Sequence, residues 1–300
     1  MSFIANKLIR GSSIIGTEID RLLFLTQPVV TVDNVQKFNS VAASYNGKYL
    51  LRSDYNVPPG LSGGIFVSQN YGKTWSGRLN YSTYNQLAVS GDGRVMYWTY
   101  DGSGSSSPVI GAFRSINYGN TFENVDNKWP EYARWGAITT NIDGSKAIYG
   151  ETCNGVRLEI RATTNTGTTW NTLSNLLPNS TASTILSSCS SDGNTIIVNS
   201  CGVIYKTSNF GSSWIQIANF NANLAMSGDA TKIILANTVI DYLKVSTNGG
   251  TSFNNITILG QRIWGRVAMS EDGTKMMARD QNNFVFLSTN SGSTWANYPI

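Results

Sequence analysis

The chain has 300 residues, of which 13% are charged, with a net charge of +4 that is not gathered into any Lys/Arg-rich run, so nucleic-acid binding is not expected. An apolar fraction of 41%, with plentiful Trp and Tyr, argues against disorder. There is no histidine, which removes the commonest general base and metal ligand; no metal or cofactor is expected, and no Ser/His/Asp or Cys/His catalytic set is possible.

Residues 1–34 stand apart from the rest of the chain. They hold Gly11-Ser12-Ser13, the apolar run Leu22-Leu23-Phe24-Leu25 and then Pro28 to Val32. Met1 to Arg10 lacks the uninterrupted apolar core of a secretory signal, and no run of about 18 apolar residues occurs anywhere, so neither a Sec leader nor membrane insertion is expected. The segment reads either as an extra strand that helps to close the fold or as an arm for attachment or oligomerisation.

From residue 35 two motifs alternate. The first is an apolar run ending in a tight Asp-Gly-like turn: Val41-Ala-Ala-Ser44-Tyr-Asn-Gly47, Leu87 to Gly93, Ala137 to Gly144, Ser190 to Gly193, Leu224 to Ala230 and Trp264 to Gly273. Asn-Gly or Asp-Gly between apolar runs is a strong hairpin signal. The second motif reads Ser/Thr-x-Asn-x-Gly-x-Ser/Thr-Trp/Phe. Its six copies are Asn70, Gly72 and Trp75; Asn117, Gly119 and Phe122; Asn165, Gly167 and Trp170; Asn209, Gly211 and Trp214; Asn248, Gly250 and Phe253; and Asn290, Gly292 and Trp295. Asn bonds its own following backbone and tolerates the left-handed region, Gly takes a positive φ, and the hydroxyls close the turn. The aromatic residue is expected to tuck between sheets, so these residues read as structural.

Successive asparagines are 39 to 48 residues apart. Four short antiparallel strands per unit, six times over, predict an all-β, six-bladed propeller over residues 35–300. Its blades are expected at about 35–80, 81–127, 128–175, 176–219, 220–258 and 259–300, and in the last the strands at 264–270, 274–279, 284–289 and 294–299. Each unit starts with strand one and ends with strand four, so no borrowed strand is seen to close the ring. Cys153, Cys189 and Cys201 read as free, small apolar residues; a Cys153–Cys201 bridge between neighbouring repeats is the one pairing open to them.

The second motif resembles the Asp-box, or BNR-repeat, family of β-propellers, with Asn in place of the family's Asp in all six copies. Its pairing with Ala-x-Ser-x-Asp-Gly turns also looks like repeat proteins of large viruses and phages. The resemblance implies a propeller, and it admits sialidases, other glycosidases and protein-binding assembly factors. Sialidase-type chemistry would need three arginines and an Arg-Ile-Pro motif. The motif is absent; Arg52, Arg78, Arg134, Arg262, Arg266 and Arg279 lie near loops. Other glycosidase chemistry needs two carboxylates across a cleft, and Asp54, Asp101, Glu131, Glu151, Asp241 and Asp280 are the loop carboxylates available.

In a four-stranded blade the hairpin turns share one rim, and the longer connections, here 52–64, 98–112, 123–136, 171–184 and 254–265, share the other. Recognition on a rigid scaffold usually lives in such loops. The ligand-binding candidates are therefore Tyr55, Tyr81, Tyr84, Tyr100, Trp129, Tyr132, Arg134 and Trp264, whose rings suit the apolar faces of sugars. Together these features read as a non-enzymatic propeller with no catalytic residues, displayed on a viral or phage particle. Residues 1–34 would hold it to other particle proteins and the loop rim would bind a cell-surface glycan or receptor. Self-association is compatible with this reading. A sialidase-like hydrolase and a protein-binding assembly scaffold are the alternatives.

Overall fold

The computed structural model describes residues 37–55, 64–79, 86–100, 111–126, 133–153, 157–173, 185–200, 202–282 and 284–299. These form six four-stranded antiparallel sheets, each built from consecutive strands. Blade 1 comprises β1 (Lys37–Ala43), β2 (Leu50–Tyr55), β3 (Ile65–Ser68) and β4 (Ser76–Leu79). Blade 2 comprises β5 (Gln86–Val89), β6 (Met96–Tyr100), β7 (Gly111–Ser115) and β8 (Glu123–Asp126). Blade 3 comprises β9 (Ala133–Thr140), β10 (Ala147–Cys153), β11 (Arg157–Thr163) and β12 (Asn171–Thr172). Blade 4 comprises β13 (Ile185–Cys189), β14 (Ile196–Ser200), β15 (Val203–Thr207) and β16 (Ile215–Ala218). Blade 5 comprises β17 (Ala222–Met226), β18 (Ile233–Asn237), β19 (Leu243–Ser246) and β20 (Asn254–Ile256). Blade 6 comprises β21 (Trp264–Met269), β22 (Met276–Asp280), β23 (Phe284–Ser288) and β24 (Ala296–Pro299). The expected six-bladed propeller is therefore the fold, and no strand is lent from one blade to another among the described residues.

The inner strands are apolar on both faces because each blade is covered on both sides. In β14, β17 and β18 every residue is buried. Five apolar clusters join blade 1 to 2, 2 to 3, 3 to 4, 4 to 5 and 5 to 6. Between blades 2 and 3 a buried charge joins the packing. The Asp126 carboxylate lies 2.5 Å from Arg161 Nε and accepts a 2.5 Å hydrogen bond from the Tyr149 hydroxyl.

The second motif closes by its own side chains. In its first copy Ser68 Oγ donates to Asn70 Oδ1 (3.0 Å), and the N–H groups of Gly72 and Thr74 donate to Ser68 Oγ and Asn70 Oδ1 (2.8 and 2.9 Å). Asn70 Nδ2 donates to Thr74 Oγ1 at 2.8 Å, and all six copies repeat that bond. An aspartate has no N–H to give there, so asparagine is the residue that satisfies this threonine or serine oxygen as an acceptor. One expectation shifts by a residue. The left-handed position preceding the glycine is held by the residue after asparagine: Tyr71, Tyr118, Thr166, Phe210 and Ser291 have φ of 51 to 62°, and Gly249 has φ of 65°.

Cys189 is free and buried, donates its thiol to Thr140 O (3.0 Å), and has that thiol pushed up to about 12 by burial. Cys201 lies outside the described residues.

Candidate functional site

In each blade the turns joining the first strand to the second and the third to the fourth lie at one rim, and the opposite strand ends lie at the other. On this second rim the described residues form a continuous surface where blade 5 meets blade 6. Three short stretches build it: 238–242 after β18, 257–263 before β21, and 281–282 after β22.

These stretches are pinned to one another. Asp241 and Arg262 exchange backbone hydrogen bonds of 3.1 and 2.9 Å, and the Gln281 N–H donates to Ile263 O at 2.9 Å. Arg262 donates from Nη1 to Asp280 Oδ2 at 2.9 Å and from Nε to Leu259 O at 2.8 Å, and its guanidinium lies 4.8 Å from the Phe286 ring. Asp280 is 1% exposed and also accepts from the Phe284 N–H at 2.9 Å. Asp241 accepts from Asn237 Nδ2, the Tyr242 N–H and Lys244 Nζ. Burial works against its charge, but those three donors outweigh it and hold the carboxyl below the ordinary carboxylate range.

On this framework four branched aliphatic side chains face solvent. Val239, Ile240, Ile258 and Ile263 are 61, 68, 67 and 36% exposed. Among the described residues, the other exposed large apolar side chains, Ile116, Ile142, Ile215 and Tyr298, sit on separate blades. Single exposed side chains of that kind are ordinary; several together on adjoining loops mark an interaction surface.

Of the expected site residues, Trp264 is not an exposed stacking platform. It is 1% exposed, donates Nε1–H to Asp241 O at 2.9 Å, and packs edge-on to Phe286 at 5.7 Å. An indole at the start of an inner strand has a covering blade on each side, so the rim loop closes over it instead of presenting it. Trp98, in the middle of β6, is likewise buried and stacks on Phe113 at 4.0 Å. Tyr55 ends β2, Tyr100 ends β6 and Arg134 lies in β9, all at this rim. Tyr81, Tyr84, Trp129 and Tyr132 lie outside the described residues.

Among the described side chains, Arg52, Arg78 and Arg266 have separate partners. Arg52 is 6% exposed and lies between the rings of Phe66 and Trp75, at 4.7 and 4.5 Å. Arg78 donates to Gly119 O (2.6 Å) and Arg266 to Asn223 Oδ1 (2.7 Å). Asp241 and Asp280, two of the loop carboxylates, are brought to one sector but serve as anchors for Lys244 and Arg262. Sequence reasoning misses the aliphatic cluster itself. Its one signal is Val239-Ile240, an apolar pair in the short connection between β18 and β19, where polar residues are the rule.

No family model matches the sequence, and no curated protein matches it. Solved structures match its fold. A GH74 xyloglucanase from Xanthomonas campestris superposes with a TM-score of 0.62 at 14% identity, covering 87% of this chain and 45% of that one. YCF48 from Cyanidioschyzon merolae gives 0.60 at 16% identity, covering 88% and 85%. TolB from Acinetobacter baumannii gives 0.56 at 15%, covering 87% and 79%. The chain thus spans under half the length of the xyloglucanase. At these identities the likeness is one of fold: the protein is a β-propeller, of an architecture shared by glycoside hydrolases and by proteins of other kinds.

Proposed function

We propose that this protein is a non-enzymatic recognition propeller that holds a partner on the irregular-loop rim. The observation that carries the reading is the blade 5–6 sector: exposed Val239, Ile240, Ile258 and Ile263 on loops locked by the Asp241–Arg262 bridge and the Arg262–Asp280 ion pair. A rigid apolar surface binds with little ordering cost. Its two nearest cations, Lys244 and Arg262, are already matched by Asp241 and Asp280, so a neutral, apolar face of a cell-surface protein receptor fits it best. One solved structure of similar fold is YCF48 bound to D1 peptide, at 12% identity, and it supports the same mode of use. A glycan would be taken instead by the aromatic-bearing loops that hold Tyr81, Tyr84, Trp129 and Tyr132.

In this reading the propeller is displayed on a viral or phage particle through residues 1–34. That part rests on the Asn-variant boxes paired with Ala-x-Ser-x-Asp-Gly turns. Incorporation of a chain lacking residues 1–34 into its particle would remove the attachment role.

The central test is binding to receptor-bearing cells and to a glycan array by the wild type and by Ile240→Asp/Ile258→Asp. Cell binding should fall at least about tenfold in the variant while stability shifts by less than about 1 kcal/mol, because both side chains are exposed. Unchanged binding rules this sector out. Turnover of fluorogenic glycosides that disappears on changing one rim carboxylate would overturn the non-enzymatic reading.

A further inference from the structure

The turn between the first two strands follows one plan in all six blades, and blade 1 departs from it at a single chemical group. In blades 2 to 6 the turn carries an aspartate: Asp92, Asp143, Asp192, Asp229 and Asp272. In blade 1 the same place holds Asn46, followed by Gly47. The hydrogen bonds are alike. Asn46 Oδ1 accepts from Ser44 Oγ at 3.0 Å and from the Lys48 N–H at 2.9 Å. Asp272 Oδ1 accepts from Ser270 Oγ at 2.6 Å and from the Thr274 N–H at 2.9 Å. Asp92, Asp192 and Asp229 repeat that pair of bonds, with the hydroxyl at 2.7, 2.5 and 2.6 Å. The shorter hydroxyl bonds are those made to a charged acceptor. The place at 46 is thus shaped for a carboxylate and holds an amide.

Asparagine before glycine is also the dipeptide that deamidates most readily, because glycine leaves its own nitrogen unhindered. The chain has three such pairs, of which Asn154-Gly155 lies outside the described residues. The other two asparagines, Asn46 and Asn248, are both exposed but are held differently. The Gly47 N–H donates to Ser44 O at 2.9 Å, inside its own four-residue turn, so freeing it opens that turn alone. The Gly249 N–H donates at 2.7 Å to Thr231 O, in the blade's other turn. Gly249 O accepts from Lys206 Nζ of blade 4 at 2.7 Å, and Asn248 Nδ2 donates to Ser252 Oγ at 2.9 Å. Freeing Gly249 therefore disturbs two turns and a contact between blades. Around Asn46 the flanks stay anchored while the turn opens: the Tyr45 N–H donates to Gly91 O at 2.8 Å, and Lys48 O accepts from the Tyr71 N–H at 3.0 Å.

We propose that Asn46 is a self-modification site, at which the folded protein converts blade 1 to the aspartate turn that the other five blades already have. Gly47 N, losing its proton, bonds to Asn46 Cγ. The Cγ–Nδ2 bond breaks, and the nitrogen leaves as ammonia with its two hydrogens and that proton. Water then opens the five-membered imide. Attack at the side-chain carbonyl leaves aspartate on an unchanged backbone; attack at the main-chain carbonyl leaves isoaspartate, with the chain rerouted through Cβ. The aspartate product keeps both the Ser44 and Lys48 donors and gains the charge they suit. The isoaspartate product takes its carboxyl away from them. Conversion to aspartate lowers the net charge by one and adds a sixth carboxylate to the regular rim.

Incubation of the full chain in mildly alkaline buffer, read by peptide mapping that separates asparagine, aspartate and isoaspartate, tests this. In the native protein Asn46 should convert at least about fivefold faster than Asn248, because local opening governs access to the reacting nitrogen. In urea, where the fold is gone, the two should convert at the same pace. Asn46→Gln, whose longer side chain cyclises far more slowly, should keep position 46 unmodified and leave the rate at Asn248 unchanged. Asn46→Asp should melt at or above the wild type at neutral pH, and the difference should vanish in acid as the new carboxyl is protonated. Equal native rates at the two sites overturn the proposal. So does Asn46 remaining intact over the time in which the unfolded chain converts. An Asn46→Asp variant that melts below the wild type at neutrality overturns it too, because the turn would then be shaped for the amide.

Discussion

The two rims of this propeller solve the same problem, ending strands without leaving polar groups unpaired, by opposite means. On the regular rim each Asn-x-Gly turn closes mainly on local partners. Asn165 accepts from the Thr163 hydroxyl and the Thr169 N–H, all within one turn of chain, and the pattern recurs in every blade. On the irregular rim the partners are distant in sequence: Arg262 reaches Asp280, and the Trp264 indole reaches the Asp241 carbonyl. Local closure leaves a polar, self-satisfied edge. Long-range closure pins loops into a fixed platform and leaves Val239, Ile240, Ile258 and Ile263 outside it. The most repeated residues are therefore scaffold, and the unrepeated loops are where a partner can be told from solvent.

Acid should expose this difference most strongly. In the regular-rim turns Asp143, Asp229 and Asp272 have their carboxyls held low despite burial that acts the other way, by hydroxyl and backbone donors such as Ser145, Ser227, Thr231, Ser270 and Thr274. Asp192 is held low first by the Ser190 hydroxyl. A carboxyl with a lowered folded pKa stabilises the fold above its unfolded value near 3.8, and that stability is lost as pH falls through the folded pKa. Glu271 runs the other way. Burial raises it, so its contribution is full below about 4.5 and is lost as pH rises through its folded pKa. Thermal melts should therefore fall steeply below pH 4 in the wild type. Glu271→Gln should raise the melting temperature near neutrality and leave it unchanged in acid. A flat profile from pH 6 to 3 would show that these turns carry no charge-dependent stability.

Trp264→Ala is the largest single-residue effect expected. Removing a fully buried indole from the blade 5–6 cluster should cost about 3–5 kcal/mol in denaturant unfolding. If the variant kept full stability and lost only partner binding, the indole would be a contact residue after all. This residue also marks the limit of reading the site from sequence. The ring is legible because its signals are local: Asn-x-Gly and Asp-Gly turns dictate hairpins wherever they occur, and six copies at one spacing dictate blades. Whether Trp264 faces a ligand or the next blade depends on Arg262, Asp241 and Asp280, whose meeting is set by three separate loops. No turn rule reports it. The Asp126–Arg161–Tyr149 cluster between blades 2 and 3 is invisible in the sequence for the same reason.

Asn165→Ala should cost less, about 1–2 kcal/mol, because it strips the Thr169 N–H of its acceptor while the turn's backbone bonds remain. Beside it, Ile240→Ala on the other rim should change stability by less than about 0.5 kcal/mol. Reversed magnitudes would mean that the irregular rim, and not the repeated turn, holds the blades in register.

The smallest effect has the opposite sign. Thr166 follows Asn165 and sits at φ of 56°, where a β-branched side chain is strained. Its carbonyl accepts from the Arg114 guanidinium of the neighbouring blade, a bond that needs no side chain at 166. In blade 5 the equivalent residue is already Gly249, with φ of 65°. Glycine there relieves the Cβ clash but enlarges the unfolded ensemble, and the two effects oppose each other. The left-handed penalty for an L-residue is roughly 1–2 kcal/mol and glycine's entropic cost about 0.5–1, so Thr166→Gly should stabilise the protein by about 0.5–1 kcal/mol. The same change at Tyr118 should help less, because Tyr118 stacks on Tyr49 at 4.7 Å and that contact between blades 1 and 2 is lost with the ring. A loss of stability in Thr166→Gly would mean that the threonine side chain holds blade 3 to blade 2 in its own right, and the regular rim would then owe its order to more than the six repeated turns.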